Sequence, residues 1–131
     1  MLQGGNNENM SYDIRFGVKV AGAKDDVYAV IGEPERSSPT YNNRDIFVES
    51  MGWDYHQGEW YKLTDVIPYI ERGIHELRFN KDKYRELEPD NGWGGITSSL
   101  EALESIMQWV TSDIECSWNG DIPKDCIYMC W

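Results

Sequence analysis

The residues with the clearest capacity for chemistry are three cysteines, Cys116, Cys126 and Cys130, all within the last sixteen residues. Cys126 and Cys130 are four residues apart, a spacing that would place two zinc ligands on one face of a helix. His56 and His75 could complete such a site. The string "CIYMCW" is instead typical of a strand, so we expect no metal or other cofactor. An odd number of thiols without a secretory signal favours a reducing compartment, the cytoplasm.

A second group of residues with catalytic side chains lies in the turn segment "WDYHQGEW". It contains Asp54, His56 and Glu59, and carboxylates and imidazoles are the usual groups for general acid–base catalysis. No activated nucleophile accompanies them, and the chain has no phosphate-binding loop or triad motif. We therefore expect a protein that is not an enzyme.

Aromatic residues are unusually abundant, with 6 Trp and 8 Tyr, and many stand in segments rich in Gly, Asn and Asp. Large aromatic side chains dominate the energetics of both cores and interfaces. The clearest example is Trp93, which stands between glycines in "EPDNGWGG". Either Trp93 packs as a lid on the helix that follows, or its ring is presented to a partner.

The charge is strongly acidic, with 12 Lys and Arg against 23 Asp and Glu, a net charge of -11 at pH 7. Such a charge repels nucleic acid and anionic membranes, so we expect neither as a direct partner. From Ser99 to the C-terminus the only basic residue is Lys124. This acidic segment either keeps the protein solvated or binds a partner with a basic surface.

The N-terminal half predicts a leader followed by a hairpin. Residues 1–10, "MLQGGNNENM", show no periodicity and are interpreted as a leader, with Met10 a plausible start of the natural chain. Residues 11–131 are expected to form one domain. The string "SYDIRFGVKV" alternates as a half-buried strand does, with Gly17 as a bulge, and "VYAVIG" follows it as a second strand. The loop "EPERSSPTYNNRD" comes next.

The middle of the chain predicts helices. The string "RDIFVESMG" predicts a short helix that is capped by Asn42 or Asn43 and ends at Gly52. A short strand at "EWYKL" precedes a longer helix, "DVIPYIERGIHELRFN", for which Thr64 is the expected cap; a short helix, "KDKYRELE", follows. The expected inner face of the longer helix is Ile67, Ile70, Ile74 and Leu77.

The last helix is predicted from a capping box, in which Ser98 caps the helix and Glu101 reaches back to the serine amide. Its expected inner stripe consists of Leu100, Leu103, Ile106, Met107 and Val110. With the C-terminal strand in "CIYMCW", the predicted fold class is α+β: a small antiparallel sheet, made of the N-terminal hairpin plus the C-terminal strand, packed against two main helices.

Several of these strings together resemble a family of small proteins found in phages and prophages. They are "MSYDI", "TYN" and "YRELEPDNGWGG" followed by a capped helix, and the resemblance extends from Met10 to Trp131. The chain departs from the family at "NRDIF" and at the aromatic insert "GWDYHQGEWYKL". The resemblance implies a mobile genetic element and the cytoplasm of a bacterial host. Small acidic proteins from that setting are frequently inhibitors of host defence, including anti-CRISPR proteins.

The leading hypothesis is therefore an acidic protein that inhibits a defence complex by occupying a basic surface. Carboxylates would substitute for the phosphates of nucleic acid, with an affinity that decreases as salt increases. The candidate partner-binding residues are Glu101, Glu104, Asp113, Glu115, Trp118, Asp121 and Asp125.

The alternative hypothesis is a small-ligand protein that binds or sequesters a nucleotide signal. The loop residues Tyr41, Asn42, Asn43 and Arg44 would supply hydrogen bonds and a phosphate partner. The rings that could stack on a base are those of Trp53, Tyr55, Trp60 and Trp93. The net charge opposes this hypothesis unless Arg36 and Arg44 create a local positive pocket.

Overall fold

The computed structural model describes residues 13–22, 27–34, 41–90, 94–113 and 122–131, and for residues 41, 112 and 113 it describes the backbone alone. The predicted leader, residues 1–10, lies outside these ranges. The described residues form an antiparallel sheet with helices packed on one of its faces, which confirms the predicted α+β class.

The sheet contains the predicted hairpin, the predicted C-terminal strand and the short strand predicted in "EWYKL". Every neighbouring pair is antiparallel, and the strand order is β2-β1-β4-β3. The C-terminal strand therefore lies between the hairpin and the short strand and joins the two ends of the described chain. The strands are β1 (Arg15–Lys19), β2 (Tyr28–Gly32), β3 (Trp60–Lys62) and β4 (Ile127–Cys130).

Gly17 marks the predicted bulge, because the register of β1 against β2 shifts between Phe16 and Gly17. A Cβ atom at Gly17 would lie 2.8 Å from the backbone oxygen of Ala29 and 2.8 Å from the ring of Trp60. The backbone oxygen cannot move away independently of its strand. Glycine at this position therefore lets the hairpin and the Trp60 ring approach closely.

The predicted short helix at "RDIFVESMG" and the two predicted main helices are all present, and "KDKYRELE" forms a 3-10 helix instead of an α-helix. The first helix ends at Gly52, whose φ of 70° is the left-handed conformation expected of a C-terminal glycine. The helices are α1 (Arg44–Met51), α2 (Leu63–Phe79) and α3 (Ile96–Gln108), with 3-10 turns at Tyr41–Asn43, Lys81–Leu87 and Lys124–Cys126 and a π-helical turn at Trp109–Asp113.

Asn43 stands at the start of α1 as predicted, although its side chain makes no capping bond there, and the predicted caps of the other two α-helices were wrong. The second helix begins at Leu63, so Thr64 lies inside it. The third helix begins at Ile96, so Ser98 is its third residue; the Ser98 hydroxyl donates to the carbonyl oxygen of Gly95 at 3.1 Å. The backbone amide of Ile96, the first residue of the helix, donates instead to Oε2 of Glu88 at 3.0 Å. A carboxylate from the preceding segment therefore replaces the predicted capping box.

The buried faces of α2 and α3 are rotated from the predicted ones. Ile67, Ile74, Leu100 and Met107 are only partly buried, and smaller residues occupy the centre of the contact. A Cβ atom at Gly73 would lie 2.8 Å from side-chain atoms of Met51 and Leu103. The buried residues are Leu63, Val66, Ile70, Gly73 and Leu77 of α2, and Ile96, Ser99, Ala102, Leu103, Ser105 and Ile106 of α3.

Aromatic contacts connect the inner face of the sheet to the helices. The rings of Phe16 in β1 and Trp109 after α3 stack with centroids 3.8 Å apart. The last residue, Trp131, is buried, and its ring stacks on that of Tyr55 with centroids 4.4 Å apart. Part of the aromatic surplus in the sequence therefore belongs to the core.

Candidate functional site

The strings "TYNN" and "EPDNGWGG" meet at the start of α3. Asn43 is 0% exposed, and its amide nitrogen donates to Oγ of Ser99 at 2.6 Å, to Oγ of Ser98 at 3.1 Å and to the carbonyl oxygen of Gly95 at 3.4 Å. Glu88 accepts from the first amide of the same helix. The described parts of both strings therefore form a joint between α1 and α3. Trp93 lies outside the described residues.

Arg44, the phosphate partner of the alternative hypothesis, is bonded within the protein. Its Nη2 donates to Oδ1 of Asp54 at 2.7 Å, its Nη1 donates to the carbonyl oxygen of Tyr55 at 3.1 Å, and its guanidinium lies 4.9 Å from the Tyr55 ring centre. A phosphate would have to compete with the Asp54 carboxylate. Asn42 is exposed beside Arg44 in an open cleft of about 340 Å³.

Among the aromatic side chains of the alternative hypothesis, the rings of Trp53 and Tyr55 meet with centroids 5.5 Å apart, but that of Trp60 does not join them. Tyr55 is 0% exposed, so its ring is not available to stack on a ligand. Trp53 packs among Tyr61, Tyr69 and the C-terminal residue. Trp60 belongs to the face of the sheet that points away from the core, and Tyr41 has no described side chain. The described geometry commits Trp53 and Tyr55 to packing.

Three of the predicted partner-binding side chains are described. Glu101 is exposed on α3, and one turn later Glu104 accepts from Nε of Arg78 at 3.1 Å. Asp125 is exposed in the 3-10 turn before β4. The remaining predicted residues, Glu115, Trp118 and Asp121 together with the side chain of Asp113, lie outside the described part of the structure.

A groove between α2 and α3 is lined in part by Arg78, the partner of Glu104. The ring of Phe79, at the end of α2, is 71% exposed, and its centroid lies 5.0 Å from that of His75. Apolar side chains of both helices contribute to the groove, whose volume is about 320 Å³. We call it the α2–α3 groove, and its lining residues are Glu71, Ile74, His75, Arg78, Phe79 and Met107.

The composition of the α2–α3 groove is typical of a binding site for a protein partner. A large apolar ring left exposed and rimmed by charged residues is a common anchor at interfaces. Arg78 is bonded to Glu104 across the groove, whereas Glu71 and Glu101 are exposed and form no ion pair among the described residues. Phe79 was not predicted as a binding residue, although its position outside the apolar spacing of α2 indicates that it does not belong to the core face.

The end of α2 that carries Phe79 is held by a network around Glu76. The Glu76 carboxylate accepts from the hydroxyl of Tyr84, from Nζ of Lys83 at 2.9 Å and from Nδ2 of Asn80 at 2.7 Å. These hydrogen bonds, with that of Tyr84 the largest contribution, lower the pKa of Glu76 to about 2. Burial, followed by the bond to Glu76, raises the pKa of Tyr84 to about 12. The network ties α2 to the 3-10 segment after it.

The described cysteines do not lie together. The strand in "CIYMCW" begins at Ile127, so Cys126 is outside it and exposed, whereas Cys130 is buried in β4. Cys116 lies outside the described residues. Within the described ranges, no group of three or more His, Cys, Asp or Glu side chains is arranged to hold a metal ion. None of the described helices is long and apolar enough to cross a membrane.

Comparison with known proteins adds no relative. No protein-family model, curated protein or solved structure matches the chain.

Proposed function

We propose that the protein is an acidic binding protein of phage or prophage origin that inhibits a bacterial defence complex, as anti-CRISPR proteins do, by occupying a basic surface of that complex. The observation that supports this proposal is the α2–α3 groove. In it a phenylalanine ring that is 71% exposed shares the lining with the exposed Glu71 of α2, and α3 carries the exposed Glu101.

The two kinds of side chain in the groove would contribute differently to binding. Burying the Phe79 ring in a partner's pocket is worth roughly 1.5–3 kcal/mol, which mainly slows dissociation. Glu71 and Glu101, without cation partners among the described residues, are able to meet Lys or Arg side chains. The net charge of -11 would steer the encounter with a basic surface and increase the association rate.

The distribution of charge supports the helical side as the side that binds. The four strands contain no Asp or Glu, whereas each α-helix carries exposed carboxylates. A basic partner would therefore be attracted to the helices in preference to the sheet. These exposed helical carboxylates are Asp45, Glu49, Asp65, Glu71 and Glu101.

The proposal is tested by affinity capture from lysates of bacteria that carry defence systems. The wild-type protein, Phe79→Ala and Val30→Ala are compared, and captured proteins are identified by mass spectrometry. Val30 is a matched control because it is an apolar side chain on the sheet that is 50% exposed. We expect the wild type and Val30→Ala to capture a defence complex and Phe79→Ala to lose it. Equal capture by all three would contradict the assignment of the groove.

A plaque assay tests inhibition separately from binding. In cells whose defence system targets a phage, expression of the wild-type protein should restore plaques, and Phe79→Ala should restore fewer at equal protein level. If the wild-type protein binds a defence complex but plaques stay absent, the protein is a ligand of that complex and not an inhibitor.

A further inference from the structure

The sheet has a second face that the described helices do not cover. Phe16, Ile127 and Met129 point into the core shared with the helices. Strand alternation places the neighbouring side chains on the opposite side. We call this side the outer sheet face, and its residues are Arg15, Lys19, Tyr28, Val30, Trp60, Lys62 and Tyr128.

The charge of the outer sheet face is opposite to that of the whole chain. Its charged residues are Arg15, Lys19 and Lys62, of which Lys19 already has an interaction partner, and no strand contains Asp or Glu. The chain as a whole has 23 acidic and 12 basic residues. Because exposed charges more than about 8 Å apart are largely screened at physiological salt, a ligand on this face interacts mainly with the local cations.

Aromatic rings run across the same face from one edge strand to the other. The rings of Tyr28 in β2 and Trp60 in β3 are nearly parallel, with an interplanar angle of 13° and centroids 4.8 Å apart. The Tyr128 ring, in β4, approaches Tyr28 edge-on with centroids 5.0 Å apart. All three side chains are half-buried and so retain accessible surface. Gly17 leaves room for the Trp60 ring to lie across the sheet.

Arg15 lies among these rings, and no carboxylate in the described part of the chain is paired with it. Its guanidinium carbon is 5.6 Å from the Trp60 ring centre, Nη2 lies 3.6 Å from Sγ of Cys130, and its buried Nε has no hydrogen-bond partner among the described residues. Arg44, Arg78 and Arg85 are instead each paired with a carboxylate. In a chain with an excess of acids, an unpaired, half-buried guanidinium favours an anion supplied by a ligand.

We propose that the outer sheet face binds single-stranded nucleic acid. Exposed bases stack on aromatic side chains, and phosphates bind Lys and Arg along the same surface. A duplex is disfavoured because its bases are already stacked on one another, and an acidic peptide would use the cations but not the rings. The net charge predicts no nucleic acid as a direct partner, but it does not describe this local surface. The proposal is independent of the α2–α3 groove.

The test is fluorescence anisotropy with a labelled single-stranded oligouridylate of about ten nucleotides, a typical site size for such surfaces. A duplex of the same length and a labelled polyglutamate peptide are measured in parallel. The variants are Lys62→Gln and Tyr128→Ala, with Phe79→Ala as the control on the other side of the molecule. Lys62 is exposed, so Lys62→Gln remains informative if Tyr128→Ala does not fold.

We expect the single strand to bind more tightly than the duplex and the peptide, and binding to weaken as salt increases. Tyr128→Ala should weaken it by about fivefold or more, Lys62→Gln should weaken it and reduce its salt dependence, and Phe79→Ala should leave it unchanged. Absence of binding, equal binding by both sheet variants and the wild type, or preferential binding of the peptide would overturn the proposal.

Discussion

Asn43 is the residue on which the joint between α1 and α3 depends most. Its side chain is fully buried and donates to three acceptors at the start of α3. Removing it leaves the buried Oγ of Ser99 without this donor, so we expect Asn43→Ala to reduce the free energy of unfolding by about 1–3 kcal/mol. Chemical denaturation measures the change, and the exposed neighbour Asn42 provides the control, Asn42→Ala. Equal changes in the free energy of unfolding for the two substitutions would show that the Asn43 side chain does not hold α1 against α3.

Glu76 makes the stability of the protein depend on pH in the acidic range. Its pKa is lowered from 4.5 to about 2 by hydrogen bonds, chiefly from the Tyr84 hydroxyl. A folded-state pKa below the unfolded one stabilises the fold above pH 4.5, and that stabilisation is lost as the pH falls toward 2. We therefore expect Glu76→Gln to flatten the decrease of unfolding free energy over this range, as followed by denaturation at a series of pH values.

Tyr84→Phe is the matched variant for the same network, because it removes only the hydroxyl that donates to Glu76. It should raise the pKa of Glu76, as measured by NMR titration of the carboxyl carbon. A Glu76 pKa near 4.5 in the wild-type protein would show that the network does not form in solution.

At the residue scale, the sequence predicts features that depend on neighbours along the chain. The Gly17 bulge and the Gly52 helix end were predicted because backbone conformation and local pattern determine both. The partners of Asn43 could not be predicted, since they lie 52 to 56 residues away and become neighbours only when the helices pack. Such a contact leaves no periodic pattern in the sequence.

At the scale of elements, the start of α3 shows how a tertiary contact replaces a local one. Glu88 accepts from the amide of Ile96, and Gly95 leaves room for that carboxylate, because a Cβ there would lie 2.6 Å from Oε2 of Glu88. A carboxylate at a helix N-terminus also interacts favourably with the helix dipole. The capping box predicted from Ser98 and Glu101 is therefore not needed.

Alanine substitutions distinguish the two ways of starting α3. Glu88→Ala should destabilise the protein by about 1 kcal/mol, the usual effect of losing an N-terminal cap. Glu101→Ala, which would remove half of the predicted capping box, should leave stability nearly unchanged. Both are measured by thermal or chemical denaturation. A larger loss for Glu101→Ala than for Glu88→Ala would mean that the helix starts at the predicted position.

Hydrophobic periodicity predicted which elements exist but not how they are oriented. The α-helices and strands follow in the predicted order because their apolar spacing is strong. The faces rotated because close packing places a small residue between the helices: a Cβ at Gly73 would lie 2.8 Å from Leu103, and a scale of hydrophobicity gives glycine little weight. Large residues at the edge, Ile74 and Met107 among them, then form the α2–α3 groove.

At the scale of the whole molecule, the charges and the aromatic side chains are segregated. Exposed carboxylates lie on the helices, one of which also carries the Phe79 ring, whereas the strands carry only basic charges and a row of aromatic rings. Composition alone predicted an acidic protein with surplus aromatics, and it could not assign these groups to opposite sides. The groups can be assigned to their sides only once the strand order is known, because that order places β2 and β3 at the two edges of one sheet.

The central claim is that the α2–α3 groove binds the partner through one apolar anchor and the carboxylates around it. Surface plasmon resonance on the captured defence complex tests it most directly, at two salt concentrations, with Phe79→Ala, the double variant Glu71→Lys/Glu101→Lys, and Val30→Ala as control. Phe79→Ala should increase the dissociation rate by about tenfold or more, and the double reversal should mainly slow association, most strongly at low salt. Val30→Ala should change neither rate. An unchanged dissociation rate for Phe79→Ala, with an unchanged association rate for the double reversal, would contradict the claim.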